Sequence, residues 1–261
     1  MKVEVLISCM HQKDTSIIYK SNIQSNVVVI NQCNENSEIS EVFKNKKNES
    51  CQILMINTKE RGLSNSRNLA IKNATGDICI ICDDDEKFSN TYVEDIVKAF
   101  QSHKDADIIA FKLIRPQKKY REKGKKLSPL DCLKVSSVEI AFKLKRIKEK
   151  NILFDPQIGS GISKAGGEEN VFLHECLKKG LKIYYHPIII AELLDAESQW
   201  LASKYSKDYF IDRGKFTRKL IGGKIFSIIY AVYFTIAKIK EYRSKNHPIK
   251  AFAYMLKGIF S

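Results

Sequence analysis

Gly76-Asp77-Ile78-Cys79-Ile80-Ile81-Cys82-Asp83-Asp84-Asp85-Glu86 carries five apolar residues directly into four consecutive carboxylates. The apolar part is short, rich in β-branched isoleucine and without alternation, the pattern of a strand buried on both faces of a mostly parallel sheet. Such sheets bind ligands in the crevice outside the carboxyl ends of their strands, so acids at that end are placed to work on one. Four crowded carboxylates raise one another's pKa values unless a cation sits among them. A hard divalent ion, Mg2+ or Mn2+, takes oxygen ligands from one or two carboxylates and completes its shell with phosphate oxygens, which points to a diphosphate-bearing substrate. The same acids also suit a turn capping the helix expected over Thr91–Phe100, and the triplet alone leaves both readings open.

Working outward, Val3–Ser8 and Val27–Ile30 read as strands joined by a helix or loop over Asp14–Gln24, the opening of a βαβ pattern. The second strand ends in Asn31-Gln32-Cys33-Asn34, whose amides suit either a nucleobase edge or a surface turn. A third short strand, Ile53–Ile56, leads to Arg61-Gly62-Leu63-Ser64-Asn65-Ser66-Arg67-Asn68. Gly62 permits a turn there, and Ser64 is a fair N-cap for a helix carrying Arg67. An arginine near a nucleotide crevice pairs with phosphate or base; otherwise it is solvated.

Beyond the acids, Asp107–Phe111 is another strand. Arg115–Lys126 holds seven basic residues around Gly124. It reads as a solvated loop or hairpin, or as a contact for a phosphorylated acceptor or a membrane surface. Ile140–Ile152 reads as a basic helix and Leu181–Pro187 as a strand ending at its proline. Between them Gly166-Gly167-Glu168-Glu169-Asn170 precedes the amphipathic run Val171–Leu177. The helix dipole favours acids at that position, and paired acids behind glycines can also present a general base.

The 261 residues suffice for one large α/β domain with a helical appendage. Lys and Arg number 44 against 30 Asp and Glu, a formal +14 that attracts polyanions: nucleotides, nucleic acid or anionic head groups. Seven scattered cysteines do not make a disulfide framework. Cys79 and Cys82 point to opposite faces of a strand and read as core residues rather than metal ligands. Met1-Lys2 passes at once into Val3, which does not suit a signal peptide and places the catalytic body in the cytoplasm. From Gln199 the chain turns basic and aromatic. Ile225–Ala237 is apolar except for Ser227 and Thr235. It is shorter than the roughly twenty residues a membrane-spanning helix needs, and it suits an interfacial helix on anionic lipid or a helix packed on protein.

The ordered set of landmarks resembles a family 2 glycosyltransferase of the GT-A fold over roughly residues 3 to 190. The carriers are Val5-Leu6-Ile7-Ser8, the strand ending in Asn31-Gln32, Arg61 to Asn68, Asp83-Asp84-Asp85 and Gly167-Glu168-Glu169. The resemblance implies an α/β fold, a mostly parallel central sheet flanked by helices with a C-terminal basic helical tail. It divides the chain into a glycosyltransferase domain at 1–198, with 1–114 as nucleotide-sugar half and 115–198 as acceptor half, and a helical segment at 199–261. By position Asp85, with Asp83, is implied to bind a divalent metal. Ser8, Asn31, Gln32, Arg67, Asn68, Asp83 and Asp84 are implied to hold the nucleotide. Glu169 is implied to be the catalytic base, with Glu168 its acceptor-side neighbour.

The sequence departs from the family pattern where Asn31-Gln32 stand for the usual aspartates, where Glu169 replaces an aspartate, and where Ala191-Glu192 occupy the place of a metal-binding histidine in some relatives. The implied partners are a nucleotide diphosphate sugar, a carbohydrate or lipid-linked acceptor and an anionic membrane surface at its inner face, with no nucleic acid. A polyanion-binding protein and a metal-dependent nucleotidyltransferase are the alternatives. The first would want lysines where the acids stand, and the second a glycine-rich loop that Leu6–Lys13 lacks.

Overall fold

The computed structural model describes residues 1–115, 118–194 and 204–261. The domain boundary expected at 198 lies outside the described residues. In chain order the strands are β1 (Val3–Met10), β2 (Asn26–Gln32), β3 (Ser37–Lys44), β4 (Ser50–Thr58), β5 (Ile78–Asp83), β6 (Glu86–Phe88), β7 (Ile108–Ile114), β8 (Lys125–Lys126), β9 (Ile140–Lys143) and β10 (Ile183–Leu193). The helices are α1 (Ile17–Lys20), α2 (Leu63–Asn73), α3 (Tyr92–Ser102), α4 (Pro129–Cys132), α5 (Leu144–Glu149), α6 (Glu168–Lys178), α7 (Lys207–Ile221), α8 (Lys224–Ala237), α9 (Ile239–Tyr242) and α10 (Pro248–Phe260).

All ten strands join one sheet in the order β3-β4-β2-β1-β5-β9-β7-β10-β6, with β8 paired to β10. The expected mostly parallel sheet is parallel through β4-β2-β1-β5 and mixed beyond it. There β9 runs antiparallel between β5 and β7, and β3, β6 and β8 are antiparallel additions. The unbroken apolar runs of β1, β2 and β5 are buried on both faces, as a central parallel strand requires. One face packs Val5, Ile7, Val29, Ile80 and Cys82 against α1 and α3 through Ile17, Ile18, Tyr92 and Ile96. Cys79 and Cys82 are both buried core residues.

Two expected elements differ from what forms. Ile140–Ile152 divides into β9 followed by α5, because Ile140, Ala141 and Phe142 are buried between the neighbouring strands and only the basic remainder is helical. The last strand continues past Pro187 to Leu193. Its ladder with β7 shifts register between Tyr185 and Ile189, so the proline sits in an irregularity where its missing N–H breaks no regular pairing.

The described residues form two compact units. The first holds Met1–Arg61, Asn65–Leu153 and the chain from Phe172 to the end of β10, and therefore the sheet. The second holds Gly62–Ser64, Phe154–Val171 and the C-terminal helices. Its core is aromatic, with Tyr205, Tyr209, Phe210, Phe234 and Tyr242 around Ala251 and Met255. α7 and α10 touch backbone to backbone at two facing glycines. A Cβ on Gly214 would stand 2.1 Å from the Met255 carbonyl oxygen, and one on Gly258 would stand 1.9 Å from that of Ile211. Side chains there would drive the helices apart.

Candidate active site

In the first unit the carboxyl ends of the parallel strands lie level. Register pairs Ser8 of β1 with Asp83 of β5, Cys9 with Asn31 and Met10 with Gln32. Arg67, on α2, is 2% exposed, and its Nη2 donates to both carboxylate oxygens of Asp83 at 3.0 and 3.2 Å and to Ser137 Oγ at 2.9 Å. Ser66 donates to the Ser8 hydroxyl at 2.9 Å, fastening α2 to β1 one residue earlier. Ser8 and Asp83 thus lie at one register position on neighbouring strands, held by Ser66 and Arg67 of α2 respectively.

Asp84 and Asp85 form the turn between β5 and β6. Lys20 Nζ donates to the Asp84 carbonyl at 3.0 Å, and the Leu194 N–H donates to that of Asp85 at 2.7 Å, so the turn is held from two sides through its backbone. Burial first, and the Asp83 charge second, raise the Asp84 carboxyl above its ordinary pKa. Glu86 opens β6 with both carboxylate oxygens buried and without a hydrogen-bond donor. Burial, then Asp83 and Asp85, push it well above the usual carboxylate range.

Three further expected residues are Asn31, Gln32 and Asn68. Asn31 is buried. Its amide nitrogen donates to the Gln12 carbonyl at 2.8 Å and to Asn57 Oδ1 at 2.7 Å, while its oxygen accepts from the Gln12 N–H at 2.9 Å. The amide ties the loop after β1 to β2 and β4. Gln32 is buried beside it at the end of β2. Asn68, although adjacent to Arg67, borders a groove of about 560 Å³ lined by α2 and α5 residues, among them Lys72, Lys148 and Asn151, and by neither Asp83 nor Arg67.

The basic segment after β7 is anchored through its described residues. Lys118 Nζ meets Glu139 at 2.5 and 2.7 Å, the Tyr120 hydroxyl meets it at 2.6 Å, and Arg115 Nη1 donates to Ser136 Oγ at 2.8 Å. Glu139 closes the 3-10 turn Ser137–Glu139, the turn that supplies Ser137 to Arg67. Sequence reasoning passed over Ser137, Glu139 and the isolation of Glu86. None stands in a motif, and each acts through space.

In the second unit Glu168 and Glu169 occupy the first turn of α6. Gly166 and Gly167 precede them at φ +60° and +95°, a left-handed pair that turns the chain into the helix. A Cβ on Gly167 would stand 2.5 Å from the Phe216 ring. The loop before it holds the start of α2: Ser64 Oγ donates to the Ile158 carbonyl at 2.5 Å, and the Leu63 N–H donates to that of Ser160 at 2.9 Å. Glu168 is buried, and Glu169 is partly open to solvent.

The first unit offers oxygen donors suited to a hard cation. Asp83 is oriented by Arg67, and the carboxyls of Asp84 and Glu86 are raised first by burial and then by the neighbouring carboxylates. Among the described residues no three His, Cys, Asp or Glu side chains gather into a complete cage. An ion held by Asp85 and Asp83 would therefore complete its shell with water or phosphate oxygens, the usual arrangement for magnesium.

Residues 9–166 match the family described as Glycosyl transferase family 2. Comparison with curated protein sequences finds no match. Among solved structures the chain is similar to S. aureus TarS 1-349 in complex with UDP-GlcNAc, at 15% identity and a TM-score of 0.63, covering 94% of this chain and 74% of that one. A second structure of TarS 1-349 gives 15% identity and a TM-score of 0.58 over 84% of this chain and 65% of that one. Against the longer S. aureus TarS chain the identity is 15% and the TM-score 0.57, over 83% of this chain and 39% of that one. The chain thus spans 65% of the second of these TarS 1-349 chains, just under two thirds, and 39% of the longer protein. The chain belongs to glycosyl transferase family 2 and is built on the GT-A fold.

Proposed function

We propose that the chain transfers a sugar, with inversion, from a nucleotide diphosphate sugar to a hydroxyl of a carbohydrate acceptor. The observation that carries the reading is the acidic turn at the end of β5, with Asp83 anchored on buried Arg67 and Asp84 and Asp85 forming the turn that follows it. The donor class is supported by the fold shared with TarS 1-349, whose structure holds UDP-GlcNAc. In this reading Asp85, with Asp83, holds a divalent cation, Mg2+ or Mn2+. When bound, that ion neutralises charge on the leaving diphosphate. Ser8, Gln32 and Asp84 line the nucleotide side, Arg67 fixes Asp83, and Asn31 shapes the pocket by holding the Gln12 loop.

Glu169 takes the proton of the acceptor hydroxyl. The acceptor oxygen forms its bond to the anomeric carbon as the bond from that carbon to the phosphate oxygen breaks, and the nucleoside diphosphate departs from the opposite face. Glu168, buried on the same helical turn, orients the acceptor side. The acceptor in this reading is a carbohydrate on a lipid carrier in polysaccharide synthesis, with the enzyme bound peripherally at the inner face of the cell membrane.

The experiment is to measure nucleoside diphosphate release and donor affinity for the wild type, Glu169→Gln and Glu168→Gln. A general base contributes ~10²- to 10⁴-fold, so Glu169→Gln should lose turnover on that scale while donor affinity stays constant. Full turnover in Glu169→Gln, with loss in Glu168→Gln, would move the base to the neighbouring residue. Full turnover in both would end the assignment.

A further inference from the structure

Helix α8 is turned inside out. Its buried positions are Ser227, Ala231, Phe234 and Thr235, mostly small or hydroxyl-bearing. The hydroxyls of Ser227 and Thr235 are satisfied within the helix, donating to the Gly223 carbonyl at 2.7 Å and the Ala231 carbonyl at 2.9 Å. Phe234 and, partly buried, Ile228 and Tyr230 also face the core, whereas six other large apolar side chains point the other way. Ile225, Phe226, Ile229, Val232, Tyr233 and Ile236 recur at helical spacing along one outer stripe, between 42% (Val232) and 72% (Ile225) exposed. A helix lying on the core of a water-soluble protein has the reverse arrangement, and a contiguous exposed stripe of this kind marks a contact surface.

Charge identifies the contact. Residues 204–261 contain thirteen Lys and Arg against three Asp and Glu, so ten of the chain's fourteen net positive charges fall in this segment. Lys224 begins α8, and Lys238 and Lys240 follow its end. Beside the N-terminus of α8 lies a groove of about 910 Å³ lined by Lys215, Arg218, Lys219 and Lys224, with Ile162 and Phe260 exposed at its wall. Lys215 and Lys219 are paired with Asp212 and Asp155, whereas among the described residues Arg218 and Lys224 have no acidic partner. Lys224 Nζ instead lies 5.4 Å from the centre of the Phe260 ring, a cation beside an exposed aromatic.

We infer that the outer stripe of α8 seats in an anionic phospholipid bilayer, with Arg218, Lys224 and Lys240 on the lipid head groups, Lys238 being paired with Glu241. The helix of 14 residues is about 21 Å long at 1.5 Å per residue, and no helix among the described residues is long and apolar enough to cross a membrane. It therefore lies in the plane of the interface, its isoleucines and Phe226 below the head groups and Tyr233 at their level. The lysine stems lie along the apolar surface while their ammonium groups reach the phosphates. A second copy of the chain is the poorer occupant. A two-fold contact through this stripe would set the same cationic rim against itself, a like-charge arrangement that opposes association.

The inference rests on the membrane placement proposed above and requires neither donor nor acceptor, so its failure would leave the transfer reaction standing. The experiment is co-sedimentation of the full chain with vesicles of phosphatidylcholine alone or mixed with phosphatidylglycerol, alongside sedimentation velocity without lipid. The comparison variants are Ile229→Asp/Ile236→Asp on the stripe and Lys224→Glu/Lys240→Glu on the rim. All four sites are exposed, and unchanged unfolding temperatures check that the variants fold. The wild type should bind the anionic vesicles and scarcely the neutral ones, and each double variant should lower binding about tenfold or more, since interfacial binding sums apolar burial and charge attraction. Binding unchanged in Ile229→Asp/Ile236→Asp would overturn the inference. So would a wild type that ignores anionic vesicles, or one that self-associates in solution and becomes monomeric in the stripe variant.

Discussion

Asp83 illustrates how one carboxylate can serve structure and chemistry at once. Its partner Arg67 is sealed from water, and removing one member of such a pair leaves the other charge buried and uncompensated. Asp83→Asn should therefore cost about 3 kcal/mol of stability, the low end for breaking a buried pair because Asp83 itself is partly open. Urea unfolding measures this, and an unchanged midpoint would show the pair to be dispensable to the fold. Asp131 tests the electrostatics away from the site. It caps α4, and the Lys125 ammonium at 2.8 Å, followed by the Ser128 hydroxyl and N–H, holds its carboxyl well below the usual carboxylate range. A lowered acid stabilises the fold above its unfolded pKa and loses that contribution as pH falls through the folded value. Asp131→Asn should lower the melting temperature at neutral pH, and the difference from wild type should shrink below about pH 4. A gap that persisted undiminished into strong acid would contradict the ion pair.

Among the elements, legibility followed burial. β1, β2 and β5 are readable because a strand covered on both faces needs an unbroken apolar run, and each has one. β3 escaped notice because it is a solvent-facing edge strand in which Phe43 alone is buried among Glu38, Glu41 and Lys44. β9 was hidden because Ile140-Ala141-Phe142 is only three apolar residues long and runs straight into a basic helix. Pro187 looked like a strand end because proline breaks regular ladders, whereas the strand accommodates it by shifting register. The entry to α6 yields a prediction at this scale. Gly167 combines φ +95° with the Phe216 ring in the place of a Cβ, so Gly167→Ala suffers both backbone strain and a clash. The loss should be about 1–3 kcal/mol by denaturant unfolding, and Gly167→Ala/Phe216→Ala should still carry the strain while relieved of the clash. A neutral Gly167→Ala would mean that α6 can start without the left-handed turn.

For the molecule as a whole, motif order along the chain located the acidic turn and the paired glutamates without revealing what supports them. The anchoring of Asp83 joins α2, β5 and the Ser137–Glu139 turn, residues 16 and 70 positions from Arg67, a distance no local pattern encodes. The Asn31 amide suits a nucleobase edge or a turn by its chemistry, and its bonds to Gln12 and Asn57, 19 and 26 positions away, were not legible in the sequence. Charge was legible as a sum of +14 and as a basic C-terminal segment around an apolar helix, but which face of that helix is exposed needed the fold.

The central claim is that the acidic turn receives a metal-bridged nucleoside diphosphate. It is tested most directly by thermal unfolding with UDP, GDP, CDP and CMP and with UDP- and GDP-sugars, each with manganese, magnesium or chelator, on wild type and Asp85→Ala. The account predicts stabilisation by one nucleoside diphosphate and its sugar, dependent on divalent metal and lost in Asp85→Ala, reaching about 2.7 kcal/mol at a hundredfold excess over Kd. Stabilisation that is indifferent to chelator and survives in Asp85→Ala, or no stabilisation of the folded protein by any of these nucleotides, would contradict it.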